Sequence, residues 1–157
     1  MRKKVICLVL VMMLILGTMG STALASGHRP KSVISTDIWY DINRVINLEY
    51  ERSVNRAMSL YVAPFVAPVG ITILGTKVGT KIYFLGTAPE GLSVGALGEI
   101  LYKSVPGAPE TVFTVGANIG YKYFITDMFT VEARGGLEYA FGLGLLPSLG
   151  INVGIGL

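Results

Sequence analysis

The chain has 157 residues, of which 13 are Lys or Arg and 10 are Asp or Glu, so its formal net charge is +3. Apolar residues make up 52% of the chain and charged residues only 15%, a balance that is unusual for a soluble domain. The length is that of one domain.

The first residues have the pattern of an export signal. The basic run Arg2-Lys3-Lys4 precedes an apolar stretch over Val5–Leu16, and Ala23-Leu24-Ala25 matches the site that signal peptidase cleaves. The apolar stretch is well short of the ~20 residues of a membrane-spanning helix. We therefore predict a cleaved signal peptide over residues 1–25.

Removal of this segment changes what the composition implies. Three of the 13 basic residues leave with it, so ten basic residues balance the 10 acidic ones, and the basic pI does not indicate a nucleic-acid partner. Cys7 is also removed, which leaves no disulfide, no thiolate nucleophile and no thiolate metal site. The next segment, residues 26–32, is predicted to be a short N-terminal tail.

The rest of the chain alternates between apolar and polar residues. Ile46–Glu51 and Phe129–Arg134 alternate strictly, which is typical of a strand with one apolar face and one polar face. Short connections rich in Gly, Pro, Asn or Asp separate the strands. The predicted strands are Val33–Tyr40, Val45–Val54, Met58–Ala67, Lys77–Leu85, Leu92–Lys103, Thr111–Ile125, Phe129–Phe141 and Ser148–Leu157.

One stretch conflicts with this interpretation. Ala57–Thr76 carries no charge, and its hydropathy alone would predict a membrane-spanning helix. It contains Pro64 and Pro68 and several β-branched residues, which disfavour a helix. We interpret it as a strand that enters an apolar, Pro-interrupted outer loop, and the helix remains the alternative.

Even strand number and short turns predict a closed barrel, and the size of the apolar face places lipid outside it. In the last strand, Leu149, Ile151 and Val153 alternate with glycine and Asn152, and glycine suits the narrow lumen of eight strands. We therefore predict, over residues 33–157, an all-β, eight-stranded antiparallel up-and-down transmembrane barrel. Its outer face would carry two aromatic girdles, formed by Tyr50, Phe84, Tyr121, Tyr123 and Phe129 at one end and by Tyr40, Tyr102, Phe113, Tyr139 and Phe141 at the other.

The same alternation turns a set of charges toward the lumen. Because a lone buried charge is costly, these side chains should pair with one another. The structural interpretation is a salt-bridge plug, and the functional one is a narrow ion path or gate. The predicted lumen charges are Glu49, Glu51, Lys81, Glu99, Lys122, Glu132, Arg134 and Glu138.

Catalytic patterns are missing from the sequence. The only histidine, His28, lies in the predicted tail, where no neighbours would hold it for acid–base chemistry. Pairs such as Gly142-Leu143-Gly144 do not open a helix, so they are not phosphate-binding loops. We expect no enzymatic activity, no cofactor and no metal.

Several stretches resemble the small outer-membrane barrels of the OmpA/OmpX/OmpW-like group. Asn47–Arg52 followed by Leu60-Tyr61-Val62 is similar to a hairpin of such proteins, and Gly120–Asp127 followed by Val131–Gly142 is similar to their penultimate turn and strand. Such barrels usually end in Phe or Trp, whereas this chain ends in Leu157. The resemblance implies an eight-stranded barrel and says little about function.

The leading hypothesis is a non-enzymatic barrel of the cell outer membrane, with a structural or surface role and a plugged lumen. Its expected partners are outer-membrane lipids and the export and barrel-assembly machinery, with no nucleic acid. A soluble periplasmic or secreted lipocalin-like barrel that binds an apolar ligand is the alternative, as is a narrow-pore channel. The sequence does not indicate an oligomeric state.

Overall fold

The computed structural model describes residues 30–38, 40, 44–69, 71–104 and 110–157. The predicted signal peptide, most of the predicted tail and His28 lie outside these residues. Within them the chain forms the strands β1 Ser32–Asp37, β2 Ile46–Asn47, β3 Glu49–Asn55, β4 Met58–Val69, β5 Ile71–Thr87, β6 Glu90–Ser104, β7 Glu110–Phe124, β8 Phe129–Ala140 and β9 Gly144–Gly156.

The strands form one closed antiparallel barrel. When β2 and β3 are counted as one strand, each strand pairs with the next one along the chain, and β1 pairs with β9 from Val33↔Gly156 to Asp37↔Asn152, which closes the wall. β2 and β3 are two parts of one strand, so the described residues form eight strands around the barrel. The predicted all-β, eight-stranded antiparallel barrel is thereby confirmed.

The break between β2 and β3 has a local cause. The Leu48 N–H donates to the Pro64 carbonyl oxygen at 3.1 Å, but Pro64 has no N–H to donate in return. One of the two hydrogen bonds of this cross-strand pair is therefore missing, and the ladder is interrupted at Leu48.

The barrel has two distinct ends. At the terminal end, β1 begins and β9 finishes, next to the turns at residues 56–57, 88–89 and 125–128. At the loop end, β1, β4, β6 and β8 finish and β2, β5, β7 and β9 begin. Both names are used in this sense below.

The uncharged stretch Ala57–Thr76 forms neither a loop nor a helix. β4 continues past Pro64 and Pro68 to Val69, and β5 begins at Ile71, so the two strands form a continuous hairpin. The prediction of a loop here was wrong, because prolines are tolerated in a strand where their nitrogens face a sparsely paired side. No helix among the described residues is long and apolar enough to cross a membrane.

At the loop end, the wall between β1 and β9 is short. β1 stops at Asp37, whereas the prediction extended it to Tyr40, and β9 begins at Gly144, before the predicted Ser148. In the described part of the chain, β9 pairs with β1 only from Asn152 onward. The Ile151 N–H donates a hydrogen bond to Asp37 Oδ1 at 3.3 Å. The Pro147 nitrogen faces the same edge of β9 as the Ile151 N–H. Because proline has no N–H to leave unpaired, it is well suited to a strand edge.

The polarity of the barrel is inverted relative to a soluble protein. The largest fully buried side chains are charged, with Lys81, Lys122, Glu51 and Glu132 at the head of the set. Large apolar side chains instead cover the outside, and Leu149 is 69% exposed. Side-chain alternation along the strands therefore points most of the charged residues inward and most of the large apolar residues outward.

Candidate functional site in the barrel interior

Charged side chains fill the middle of the barrel in a group that we call the central layer, which comprises Asp37, Glu49, Glu51, Lys81, Lys122, Glu132 and Arg134. Lys81, on β5, is 1% exposed and lies at the centre of the group. Its ammonium donates to Glu49 at 3.0 Å and to Glu51 at 2.8 Å, both on β3, and to both oxygens of Glu132 on β8. One cation thus connects opposite walls of the barrel.

A second cation shares two of these acids. The Lys122 ammonium, on β7, forms ion pairs with Glu51 and, at 3.1 Å, with Glu132. Glu51 also accepts hydrogen bonds from the Ser59 hydroxyl at 2.5 Å and from the Tyr83 hydroxyl at 2.6 Å. The carboxylate of Glu51, which is fully buried, is therefore surrounded by donors, as a buried charge requires.

Arg134 completes the central layer on the side of β1. Its two terminal nitrogens contact Glu49 Oε2 at 2.7 Å and Asp37 Oδ2 at 3.1 Å. With its amide oriented so that both polar atoms are satisfied, Asn152 donates to Asp37 at 3.2 Å and accepts from Arg134 at 3.3 Å. The planar guanidinium thus joins acids on two different strands.

Lys77 forms a smaller group nearer the loop end, which we call the loop-side layer, together with Glu99 and Glu138. Its ammonium lies 3.0 Å from Glu99 on β6 and 3.3 Å from Glu138 on β8. It also donates to the Tyr40 hydroxyl at 2.8 Å. The loop-side layer therefore spans the lumen in the same way as the central layer.

Tyr61 separates the two layers. Its ring lies over the backbone of Gly79, its cross-strand partner on β5, so closely that a Cβ on Gly79 would come within 2.6 Å of ring carbons. The Lys81 ammonium is 5.2 Å from the ring centroid. The ring is 5% exposed, and its hydroxyl has no hydrogen-bond partner among the described residues.

A cavity of about 10 Å³ lies beside Tyr61, between the layers. Its lining includes Lys77 and Glu138 from the loop-side layer and Asp37 and Arg134 from the central layer. This volume accommodates one water-sized molecule and nothing larger. Side chains usually fill the interior of an eight-stranded barrel.

The structure places all eight of the predicted lumen charges inside the barrel and brings them into these two layers. Sequence reasoning missed Asp37, Lys77, Tyr61 and Tyr83, which belong to the same interior, whereas Asn152 was on the predicted lumen face of the last strand. Lys77 is the first residue of the predicted strand Lys77–Leu85 and has the same parity as Lys81, so alternation alone could have found it. Asp37 has the parity opposite to that of Tyr40, which was assigned to the outer face of the same predicted strand, so alternation could have found it too.

Most of the predicted girdle residues lie on the outer face. Phe84, Tyr121, Tyr123 and Phe129 are more than half exposed near the terminal end, and Tyr50 is half-buried there. Tyr102, Phe113, Tyr139 and Phe141 are exposed near the loop end.

Tyr40 differs from the other predicted girdle residues. Its hydroxyl binds Lys77, and its ring stacks on Phe65 with the centroids 6.5 Å apart. Placing Tyr40 in the outer girdle was therefore wrong. The chain leaves the sheet after Asp37, so strand alternation no longer governs where this side chain points.

Three of the acids could in principle bind a metal ion. Oxygens of Glu49, Glu51 and Glu132 lie within 4.8 Å of one another. The Lys81 ammonium contacts all three of these carboxylates at 2.8–3.0 Å, so it takes the position that a cation would occupy. Each acid is also fully engaged with cations, which leaves this group without a free base for catalysis among the described residues.

No protein-family model matches the chain, and no curated protein matches it. A solved structure with a similar fold is the N-terminal β-barrel domain of Pseudomonas aeruginosa OprF. The two are 16% identical and superpose with a TM-score of 0.53, over 82% of this chain and 98% of that one. At this identity the likeness shows a shared barrel fold.

Proposed function

We propose that the protein is a non-enzymatic β-barrel of the outer membrane, with a structural or surface role in the cell envelope and a lumen plugged by its two charge layers. The observation that carries the proposal is the inverted polarity of the wall. Lys81, Lys122, Glu51 and Glu132 are fully buried, whereas Ile119, Leu137 and Leu149 are each more than half exposed.

This polarity favours lipid as the outer solvent. A soluble monomer rarely exposes a contiguous apolar surface larger than a few hundred Å². Here apolar side chains follow the outer face of successive strands around the barrel, and they end in aromatic residues near both ends. Aromatic side chains at the two ends are typical of the membrane interfaces. Closure of the wall also satisfies most backbone groups without water.

The paired charges favour a plug over an open pore. Each of the four interior cations contacts carboxylates on at least one other strand, and Lys77, Lys81 and Arg134 bridge distant parts of the wall. A conducting path would require these pairs to separate in a low-dielectric interior, which is costly. The plug accordingly has a structural role, since it holds opposite strands together.

The lipocalin-like alternative fits the interior poorly. A barrel that binds an apolar ligand needs a large apolar cavity. The cavity beside Tyr61 measures about 10 Å³ and is lined in part by four charged residues. The narrow-pore alternative would require the buried ion pairs of the two layers to separate, which is costly in a low-dielectric interior.

The cellular location rests on the sequence. The predicted signal peptide over residues 1–25 would export the chain, and the resemblance to small outer-membrane barrels favours insertion there. Outer-membrane lipids and the export and assembly machinery are then the partners of the protein.

Envelope fractionation with a heat-shift gel tests the proposal. The mature protein should be found in the detergent-extracted outer membrane, and it should migrate differently with and without boiling, because a folded barrel resists the detergent of the gel. Recovery in the soluble periplasmic fraction would contradict the proposal. A single-channel recording with large, stable conductance would contradict the plug and leave the membrane location intact.

A further inference from the structure

We propose that Arg52, Ser32 and Tyr50 form a site on the outer face of the barrel for the phosphodiester headgroup of an anionic phospholipid. The inference rests on the membrane barrel proposed above. The site lies on β1 and β3 near the terminal end, on the opposite side of the wall from the two charge layers.

Arg52 places a cation on a face that is otherwise largely apolar. In β3 the buried Glu49 and Glu51 point into the lumen, whereas Arg52 has the opposite parity and is exposed. Among the described strand residues, it is the only Lys or Arg with the parity of the outer face. A charge on the lipid face is costly at the middle of the membrane, and the cost falls to about 0–1 kcal/mol near the headgroups.

Two neighbours indicate the level of Arg52 in the membrane. Tyr50 is two residues farther from the terminal end and belongs to the aromatic girdle there. Ser32 is opposite Arg52 in the register and is the first residue of β1. Because aromatic girdles mark the membrane interfaces, Arg52 lies on the headgroup side of Tyr50, at the level of the lipid phosphates.

The protein does not neutralise this guanidinium. In contrast to Arg134 in the lumen, Arg52 forms no ion pair with a carboxylate of the described residues. The only acid outside the described residues is Asp41. It follows Tyr40, whose hydroxyl binds Lys77 toward the other end of the barrel. A cationic side chain without a counter-charge at a membrane surface attracts anionic lipids.

A pair of hydroxyls lies beside the guanidinium. The hydroxyl oxygens of Ser32 and Tyr50 are 3.2 Å apart, so one donates to the other. Two hydroxyls carry two protons, and the second O–H has no acceptor among the described residues. Phosphate oxygens accept hydrogen bonds from hydroxyls, and the fork of an arginine binds two of these oxygens at once.

The surroundings favour a lipid over a free anion. On β4, Leu60 is the cross-strand partner of Arg52 and Val62 that of Tyr50, and these side chains are 49% and 40% exposed. A lipid with its phosphate at Arg52 would lay its acyl chains along these residues, toward the middle of the wall. The single negative charge of the headgroup would match that of the guanidinium, whereas a zwitterionic headgroup carries its own cation.

A headgroup titration tests the site. The full mature protein, folded in an uncharged maltoside detergent, is titrated with phosphatidylglycerol, with phosphatidylcholine of the same acyl chains and with inorganic phosphate. NMR signals of the Ser32 amide and the Arg52 side-chain N–H follow each titration. Phosphatidylglycerol should shift both signals saturably. It should bind at least about fivefold more tightly than either of the others, the factor expected for one cation at a membrane surface.

Variants locate the binding. Arg52→Gln should weaken phosphatidylglycerol binding about fivefold at the Ser32 amide, and Arg52→Lys should weaken it less, because the charge remains without the fork. Arg44→Gln is the matched control, since Arg44 is exposed between β1 and β2 at the loop end, and its affinity should equal that of the wild type. Tyr50→Phe should also reduce the affinity, and it decides the result if Arg52→Gln does not fold.

Equal affinities for phosphatidylglycerol and phosphatidylcholine would overturn the proposal, because Arg52 would then have no headgroup preference. Unchanged phosphatidylglycerol binding in Arg52→Gln would place the lipid elsewhere. Inorganic phosphate that binds as tightly as phosphatidylglycerol would mean a site for a free anion and would also overturn it. None of these results affects the membrane barrel, which fractionation tests separately.

Discussion

The Lys81 ammonium on β5 donates to both oxygens of Glu132 on β8, at 2.8 and 2.9 Å, across the full width of the lumen. Both side chains are almost completely buried. Because the two strands are not neighbours in the wall, this pair connects parts of the barrel that the backbone ladder does not join. The first prediction follows from it.

Lys81→Met should destabilise the folded barrel by about 3–5 kcal/mol, because it leaves the buried acids Glu49, Glu51 and Glu132 with one cation fewer. Urea unfolding in detergent, followed by the heat-shift gel, measures the change. Lys103→Met is the control: Lys103 is partly exposed and pairs with Glu110 at 3.4 Å, so the change should be below about 1 kcal/mol.

The double variant Lys81→Met/Glu132→Gln should recover part of the stability that Lys81→Met loses, since it removes one of the acids left in excess. A recovery of at least about 0.5 kcal/mol beyond the sum of the single changes is expected for residues in direct contact. Strict additivity of the two single changes would mean that the pair does not act as a unit.

Ile119→Arg should destabilise the barrel in lipid vesicles by about 2–4 kcal/mol. Ile119 is 52% exposed near the middle of β7, where a charge on the outer face would lie in hydrocarbon. Ile119→Leu is the matched control and should be nearly neutral. In a soluble barrel the arginine would be solvated and harmless, so a neutral Ile119→Arg would argue against lipid outside the wall.

Substitution of two glycines by alanine should change the stability of the barrel differently. Gly79→Ala should cost about 1–3 kcal/mol, because the new Cβ would come within 2.6 Å of the Ala96 carbonyl oxygen and of the Tyr61 ring. Gly98→Ala should be neutral or slightly stabilising, since its Cβ would meet nothing within 4 Å. Chemical denaturation of both variants provides the comparison, and equal losses would show that the packing of Tyr61 on Gly79 is unimportant.

Pro64→Ala should extend the β2–β3 ladder through Leu48. The substitution supplies an N–H opposite the Leu48 carbonyl, where one hydrogen bond of the pair is missing. The added bond contributes about 1 kcal/mol, and the greater freedom of the unfolded chain offsets much of it. The sensitive measurement is hydrogen exchange: the new amide at position 64, which would donate to the Leu48 carbonyl, should be protected in the variant, and fast exchange there would mean that the break has another cause.

Alternation determined more of this fold than any single motif did. Phe129–Arg134 alternates strictly, and β8 runs from Phe129 to Ala140 with Glu132 inside and Phe129 outside. Side chains of a strand point to opposite faces by geometry alone, so parity is readable before any partner strand is known. The closed barrel and the inward direction of all eight predicted charges follow from that rule.

The sequence was less informative beyond the ends of the strands, where side-chain alternation stops, and wherever the outcome depends on which strands pair. Tyr40 lies past the last strand residue of β1, and its hydroxyl turns to Lys77, which no local pattern indicates. The β4–β5 hairpin continues past Pro64 and Pro68 because β2, the strand on the other side of β4, pairs with it at only two residues there. Whether a proline disrupts a hydrogen-bond ladder depends on whether its nitrogen faces a paired strand. This can be read only once the pairing of the strands is known.

By itself, then, the sequence determined which side chains enter the lumen, through the period of the strand. Only the tertiary structure decided which charges meet. Lys81 and Glu132 are 51 positions apart in the chain, and the curvature that closes β1 on β9 brings them together. The same closure forms the cavity beside Tyr61, because a space between layers exists only once the wall surrounds it.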